Sequence, residues 1–286
     1  MYNSIPKLDP PVNEPVRPYL PGDPETQSLK KRLAEMAAET IEIPLIVGGK
    51  EVRTGNLAQN VCPHDHQTVL CEYHTATPDV VEAAIESSQE AWKDWSAMSA
   101  NHRLAIFLRM AELLAGPRRD TVNAATMLGQ SKTCHQAEID SACELIDFYR
   151  FNPYYALNQL YPDQPYSPQG IWDYVQYRPL EGFVFAVTPF NFTSIAGNLP
   201  TAPAMLGNTV LWKPASSSVL SNYYLMKLFE EAGLPPGVIN FVPGRGASVG
   251  NPVVASADLA GIHFTGSTPV FQDMWRTIGG NIDRYK

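Results

Sequence analysis

Four short apolar segments, each followed by a stretch with helical character, constrain the fold of this chain more than any other feature. The segments are FVFAV, TVLWK, VINFV and AGIHF, and helices are predicted over Ser194–Leu206, Ser218–Ala232, Ser248–Ala255 and from Pro269 onward. Strands that are apolar on both faces and alternate with helices are typical of a parallel sheet covered on both sides. The pattern therefore predicts an α/β fold in which helices flank a parallel sheet.

An N-terminal arm precedes this region. The first 25 residues contain seven prolines, which favours an extended segment without a core of its own, and a short helix is predicted from about Thr26 to Glu39. We assign residues 1–40 to this arm and helix, and residues 41–286 to one domain. The domain is predicted to begin with a hairpin, IEIPLIVGGKEVRTG, and Asn60 to Tyr73 is predicted to continue the same small antiparallel sheet.

A layer of helices is predicted between the hairpin and the alternating region. Its helices run from Thr77-Pro78, from Ser99 to Gly116-Pro117, over a short stretch ending at Gly129, and from about Thr133 to a break before Pro153. The last of them is predicted to turn one stripe of residues toward the core. That stripe consists of Ile139, Cys143, Ile146, Phe148 and Tyr149.

Composition excludes several classes of function. The formal net charge of −8, from 29 acidic and 21 basic residues, argues against a nucleic-acid-binding surface. No stretch reaches the roughly 18 apolar residues of a membrane span. The N-terminal sequence matches neither a signal nor a transit peptide, and four irregularly spaced cysteines indicate a reducing compartment. The expected location is the cytoplasm, or the mitochondrial matrix only if a presequence is missing.

Two cysteine-containing segments are weak candidates for chemistry. Two cysteines and three histidines lie between Cys62 and His74, but their spacing is too linear for a tetrahedral zinc site, so we predict no metal. Cys143 continues an apolar stripe and is interpreted as a small core residue, with a thiol pKa that the neighbouring Glu144 would raise. Neither a Gly-x-Ser-x-Gly elbow nor a Walker loop occurs.

Three strand-end segments are better candidates for a binding site. GRGASVG, from Gly244, is either a pyrophosphate-binding turn or, as its glycine spacing favours, a tight turn with close backbone approach. FTGSTP, from Phe264, presents a helix N-terminus that would attract phosphate or simply be capped. Lys213 ends a predicted strand, where it would point at a ligand crevice or lie exposed.

The motifs PFNF, LWKP and FTGS, in this order and spacing, resemble the aldehyde dehydrogenase superfamily. The resemblance covers most of residues 40–286. The helix AEID…ELIDFYRFN is similar to the corresponding helix in one branch of the family, the delta-1-pyrroline-5-carboxylate dehydrogenases of proline degradation, which oxidise L-glutamate γ-semialdehyde. The resemblance to the family implies a Rossmann-like dinucleotide-binding domain, a small aldehyde substrate, NAD as cofactor and a homo-oligomer.

The resemblance also implies roles for individual residues. Asn191 would donate to the oxyanion formed when a thiolate adds to the aldehyde, and its flanking phenylalanines would dry and fix its amide. Thr188 would lie along the dinucleotide, and Lys213 would reach the adenosine ribose hydroxyls. Glu144 would face the aldehyde pocket. The pyrophosphate would lie against Gly266, Ser267, Thr268, Pro269 and Val270.

Two departures from the family pattern qualify these expectations. Many NAD-dependent relatives carry an acid three residues after the lysine, and here that position is Ser216, so NADP remains a possible cofactor. The family's nucleophilic cysteine and activating glutamate belong to motifs that follow FTGS and that this sequence lacks, so we expect a truncated chain, without its catalytic domain and inactive by itself. The alternatives are another aldehyde dehydrogenase, such as one for succinate semialdehyde, a non-catalytic nucleotide-binding remnant, or a zinc module.

Overall fold

The computed structural model describes residues 7–285, and a six-stranded mixed sheet organises it. Its strand order is β3-β2-β8-β7-β6-β9. The strands are β2 (Leu45–Val47), β3 (Lys50–Val52), β6 (Phe183–Val187), β7 (Thr209–Lys213), β8 (Ile239–Phe241) and β9 (Leu259–Phe264). The strands β6 to β9 are parallel, which confirms the main prediction from the sequence.

A second sheet of three strands lies apart from the first, in the order β1-β5-β4. Its strands are β1 (Ile41–Ile43), β4 (Leu57–Cys62) and β5 (Asp65–His74). The prediction that the hairpin β2–β3 shares a sheet with residues 60–73 is wrong, because β2 pairs antiparallel with β8 at Ile46 and Phe241. All three residues of β2 are buried, so this strand fits between two packed layers rather than at a solvated surface.

Helices cover both faces of the large sheet. The helices within residues 7–285 are α1 (Pro24–Ala37), α2 (Pro78–Ala97), α3 (Ala100–Ala115), α4 (Arg119–Gln130), α5 (Cys134–Ala137), α6 (Leu145–Tyr155), α7 (Thr193–Met205), α8 (Val219–Glu231), α9 (Gly246–Ala255) and α10 (Thr268–Gly279), and α2 and α7 are among those that contact the large sheet. Alternate residues of β6 enter two separate apolar clusters: Val184 and Ala186 one, Phe183 and Phe185 the other. This alternation is the period of two that a strand between two layers requires.

The helix predicted from Thr133 departs from its expected form. A π-helical turn, Glu138–Glu144, joins α5 to α6, and the helical path continues through Pro153 instead of breaking before it. A π turn accommodates an extra residue, which rotates the side chains on either side of it relative to a regular α-helix. Ile139, predicted to face the core, is therefore 45% exposed, and Glu138 and Asp140 are buried in its place.

The chain changes direction across the sheet at β6. From β6 it proceeds through β7 to β8 on one side, and then returns to place β9 on the other side of β6. In doubly wound α/β sheets, ligands bind outside the carboxyl ends of the strands at such a reversal. The topology therefore points to the loops that follow Val187 and Phe264.

Candidate functional site

A cleft of about 1000 Å³ lies at the carboxyl ends of β6, β7 and β9. Six of the residues proposed from the sequence line it: Thr188, Asn191, Lys213, Gly266, Ser267 and Val270. Thr268 and Pro269 lie in the same first turn of α10 without lining the cleft. The three strand-end motifs thus meet at one site, although they are separated by up to about 80 residues in the sequence.

The turn after β6 is fixed at its first residue. Thr188 is buried, its backbone N–H donates to the carbonyl of Lys213 at 3.2 Å, and its hydroxyl accepts from Trp212 Nε1 at 3.0 Å. Thr265 donates to the carbonyl of Val187 at 3.1 Å from the other side. The carboxyl end of β6 is therefore tied to both neighbouring strands just before the chain enters the loop that carries Asn191.

Asn191 is exposed on the cleft wall, and its neighbours do not enclose it. Phe190 is 62% and Phe192 43% exposed. The expectation that these two rings dry and fix the amide is therefore not met within the described residues. The hydrogen bonds that hold the loop lie at its ends, at Thr188 and at Thr193, because those residues carry hydroxyl and N–H groups that buried polar partners can reach.

Lys213 is buried, not exposed, at the end of β7. The residue is 8% accessible, and Nζ donates to the carbonyl of Pro214 at 3.0 Å. Burial lowers the pKa of this ammonium to about 8, because the charged form loses its hydration. A buried ammonium has three donor hydrogens, so it can serve further oxygen acceptors in the cleft.

The start of α10 forms the opposite wall. Ser267 occupies the position before the helix, and Pro269 lies in its first turn, where a missing N–H costs no hydrogen bond. Gly266 is required by a close approach, since an added Cβ would lie 2.6 Å from Cζ of Phe264. A bare backbone followed by free helical N–H groups suits an anionic ligand group.

The segment GRGASVG contributes more than the sequence indicated. Gly244 makes the close approach that its spacing favours, because a Cβ there would meet Cγ2 of Val249 at 2.9 Å. The helix that follows, α9, also lines the cleft through Gly246, Ala247 and Gly250. The sequence indicated this wall by two glycines, Gly244 and Gly246, at the start of a helix that follows a strand.

Glu144 lies beside the Asn191 loop rather than among the residues that line the cleft. Its carboxylate accepts from the hydroxyl of Ser194 at 2.9 Å, and burial raises its pKa, an effect that the Ser194 hydrogen bond partly offsets. Asp140, which sequence analysis missed, accepts the backbone N–H groups of Thr193 and Ser194, both at 3.0 Å. No local pattern could have identified Asp140, because its inward position depends on the π turn.

The cysteines and histidines form no second site in the described part of the chain. No group of three or more side chains there could hold a metal ion, and none of the four cysteines lines the cleft. Cys143 is buried, as predicted, but burial and then Glu138, not the neighbouring Glu144, raise the pKa of its thiol to about 12. Among residues 7–285, no helix is long and apolar enough to cross a membrane.

Known proteins share this sequence and this fold. Residues 51–286 match the model of the aldehyde dehydrogenase family. The delta-1-pyrroline-5-carboxylate dehydrogenase of Agaricus bisporus is 48% identical over 282 residues, which cover 98% of this chain and 51% of that protein. The human mitochondrial delta-1-pyrroline-5-carboxylate dehydrogenase is 44% identical over 274 residues, 96% of this chain and 48% of its own.

A solved structure agrees closely with the whole described fold. The delta-pyrroline-5-carboxylate dehydrogenase of Mycobacterium tuberculosis bound with NAD superposes with a TM-score of 0.97 at 50% identity, covering 99% of this chain and 53% of that one. The chain spans about half the length of the relatives it matches. Because the family model covers most of the sequence and the cleft motifs coincide with it, this chain belongs to the aldehyde dehydrogenase family.

Proposed function

We propose that this chain is the dinucleotide-binding part of an enzyme that oxidises L-glutamate γ-semialdehyde to L-glutamate with NAD, a step of proline degradation. The observation that carries the proposal is the meeting of Thr188, Asn191, Lys213 and the start of α10 in one cleft. The names of the relatives, and the NAD in the mycobacterial structure, support the choice of substrate and cofactor.

The residues of the cleft fit a dinucleotide. A volume of about 1000 Å³ is at the upper end of small-molecule sites, as an extended cofactor needs. Gly266 packs against the Phe264 ring just before the N-terminus of α10, whose free N–H groups would bind the pyrophosphate, and Ser267 and Val270 line the same wall. Lys213 would donate to the adenosine ribose hydroxyls, and Thr188 would lie along the dinucleotide.

Asn191 is the group in this chain that would act on the reacting aldehyde. Its side-chain N–H₂ would donate to the carbonyl oxygen as negative charge develops there, which stabilises the transition state more than the substrate. NAD, when bound, supplies the acceptor for the hydride. Glu144, hydrogen-bonded to Ser194, would flank the aldehyde side of the same loop.

Calorimetric titration of the 286-residue chain tests the cofactor assignment. We expect NAD to bind, and Lys213→Ala to weaken binding by about tenfold, the loss of one to two hydrogen bonds to a charged donor. Lys227→Ala, at a half-exposed lysine on α8 outside the cleft, is the matched control and should leave binding unchanged. Equal affinity in all three proteins would refute the assignment of Lys213.

An activity assay with NAD and the semialdehyde tests whether this chain binds the cofactor without catalysing the reaction. Because none of the four cysteines lines the cleft, we expect the chain to bind NAD without turnover. A full-length protein containing this chain should oxidise the semialdehyde in preference to succinate semialdehyde. Robust turnover by the 286-residue chain would contradict the proposal.

A cytoplasmic location and a homo-oligomer stay predictions, to be tested by cell fractionation and light scattering.

A further inference from the structure

The loop that carries Asn191 ends at a helix without a local cap. Phe192 occupies the position before α7 and makes no side-chain hydrogen bond to it. The first N–H groups of a helix have no partner within the helix, and a phenylalanine has no acceptor to offer them. Thr193 and Ser194 are nevertheless fully buried, so their N–H groups need acceptors from another part of the chain.

Asp140 supplies both acceptors from the π-helical turn. Its Oδ2 accepts the N–H of Thr193 at 3.0 Å, and its Oδ1 accepts the N–H and the hydroxyl of Ser194 at 3.0 and 2.7 Å. The Asp140 side chain is 3% exposed. A carboxylate at this position also meets the positive end of the α7 dipole. Asp140 therefore accepts the capping hydrogen bonds of a helix that begins more than fifty residues later in the sequence.

Lys132 completes the contact. Its Nζ lies 2.5 Å from Oδ2 of Asp140 and 4.2 Å from the ring centroid of Phe192, in cation–π geometry. The pair Asp140–Lys132 thus touches Phe192, Thr193 and Ser194, the three residues that follow Asn191. This contact replaces the apolar enclosure that the flanking phenylalanines do not provide.

Two residues of α4 also hold Thr193. The hydroxyl of Thr193 lies 2.8 Å from that of Thr126 and accepts from Gln130 Nε2 at 2.7 Å, both on α4. Those contacts hold the Thr193 side chain, whereas Asp140 holds the backbone that leads back to Asn191. A backbone error of about 1 Å at a reacting group can cost on the order of 100-fold in rate, so the backbone contact is the one that bears on catalysis.

We propose that Asp140, held by Lys132, is a positioning residue for the reaction: it fixes the backbone of residues 192–194 so that the Asn191 amide stays directed at the oxyanion. This role rests on the proposed function, in which Asn191 stabilises that oxyanion. The π turn between α5 and α6 has a functional consequence in this arrangement, because it is the turn that brings Asp140 to α7.

Backbone hydrogen exchange in the 286-residue chain tests the contact without any activity. Asp140→Asn should reduce protection of the Thr193 and Ser194 amides by about 10- to 100-fold, since charge-assisted hydrogen bonds are lost. The Asn191 side-chain amide signals should broaden or shift in the same spectra. Amides in the sheet should keep their protection. Unchanged protection at residues 193 and 194, or an equal loss throughout the fold, would overturn the proposal.

Asp147→Asn is the matched control on the same helical path. Asp147 accepts from the side chain of Asn13 and the backbone of Glu14, so its loss should affect the N-terminal arm and leave residues 190–194 unchanged. A change at residues 190–194 equal to that of Asp140→Asn would show that any lost acid on this helix disturbs the loop, and would overturn the specific role of Asp140.

Steady-state kinetics of a full-length protein containing this chain separate positioning from folding. Asp140→Asn should lower kcat by about 10- to 100-fold and leave KM for NAD within about twofold, because the cofactor wall does not depend on it. Asn191→Ala is the reference for complete loss of the amide. Wild-type kcat in Asp140→Asn, with Asn191→Ala inactive, would refute the positioning role alone. Full turnover of Asn191→Ala would refute the proposed function itself.

Discussion

Burial destabilises the charged form of Lys213, and the surrounding residues do not offset this effect. The residue is 8% exposed at the end of β7, and burial lowers the pKa of its ammonium from 10.5 to about 8. A carboxylate partner would have opposed that shift, but burial accounts for the whole lowering of the pKa. A strand-end lysine kept in such a position is consistent with a ligand that uses its N–H groups.

The lysine makes the stability of the chain depend on pH. Because its folded pKa lies below its unfolded value, the penalty is full below about pH 8 and fades as the pH rises toward 10.5. We expect Lys213→Met to raise the free energy of unfolding by up to about 3 kcal/mol at pH 7, and by much less at pH 10. Urea unfolding at both pH values measures this. The same gain at pH 7 and pH 10 would contradict it.

Ser216 bears on the choice between NAD and NADP. It is exposed on the cleft wall, three residues after Lys213. A glutamate there would repel a 2′-phosphate, so Ser216→Glu should weaken NADP binding by at least about tenfold and change NAD binding little. Fluorescence titration with both cofactors measures the ratio. Ser217→Glu adds the same charge next to the cleft and is the control; an equal effect there would indicate general repulsion.

Individual site residues differ in how well the sequence predicted them. A strand end marks Lys213 and a glycine before a helix marks Gly266 locally, whereas the roles of Thr188 and Asn191 follow from the resemblance to the family; all four residues lie in one cleft. The tests of their roles are the experiments above. Asp140 was missed, because the sequence EIDSACE predicts a regular helix that would turn Ile139 inward. Burial of a carboxylate pair is decided by partners in α4, α7 and the arm, which no local pattern contains.

At the scale of elements, buried charges attach the N-terminal arm to the helical layer. Arg119 on α4 is 1% exposed and donates to Glu14 in the arm and to Glu138 in the π turn. Burial alone would raise the pKa of Glu138, but hydrogen bonds from Arg119 and from the Arg17 backbone hold it below its usual value. The Tyr19 hydroxyl also donates to Glu138 at 2.9 Å.

Removing the arginine from this cluster should be costly. Arg119→Met leaves the buried carboxylate of Glu138 without its cation, whereas Glu14 keeps its ion pair with Arg150, so we expect a loss of about 3–5 kcal/mol in the free energy of unfolding. Arg118→Met is the control at the adjacent position, where the half-exposed pair with Glu231 should contribute less than about 1 kcal/mol. Urea unfolding at pH 7 compares them. Equal losses would show that the cluster contributes no more than a surface pair.

At the scale of the whole molecule, one helix leaves its apolar side uncovered. No residue of α10 is buried, and Val270, Phe271 and Trp275 are 45%, 46% and 69% exposed. Patches of this kind on a folded chain mark contact surfaces. Val270 lines the cleft, whereas Phe271 and Trp275 do not and form an exposed apolar face of the same helix.

The exposed face of α10 should be detectable in solution. We expect the 286-residue chain to bind a hydrophobic dye such as anilinonaphthalene sulfonate, and Trp275→Lys to lower the fluorescence by about half, because the largest exposed ring of the patch is removed. Gln272→Lys adds the same charge to the same helix without removing apolar surface. If both variants bind as much dye as the original chain, the dye does not report on this face.

The order of strands and helices along the chain follows from local chemistry. Apolar runs form the strands, Thr77-Pro78 and Gly116 bound two helices, and Gly48-Gly49 forms the hairpin turn, all as predicted. These signals act within a few residues, so the sequence determined them by itself. It also carried the cleft motifs at strand ends, where a parallel sheet brings them to one edge.

Only the tertiary structure decided which strands share a sheet and which helical side chains turn inward. From the sequence, β2 could pair with β5 or with β8. Because β2 is buried on both faces, it pairs with β8 in the large sheet. In the same way, the π turn places Glu138 and Asp140 against buried hydrogen-bond partners and leaves Ile139 exposed. Both choices depend on contacts between residues far apart in sequence, and the free energy of those contacts exists only once the fold has formed.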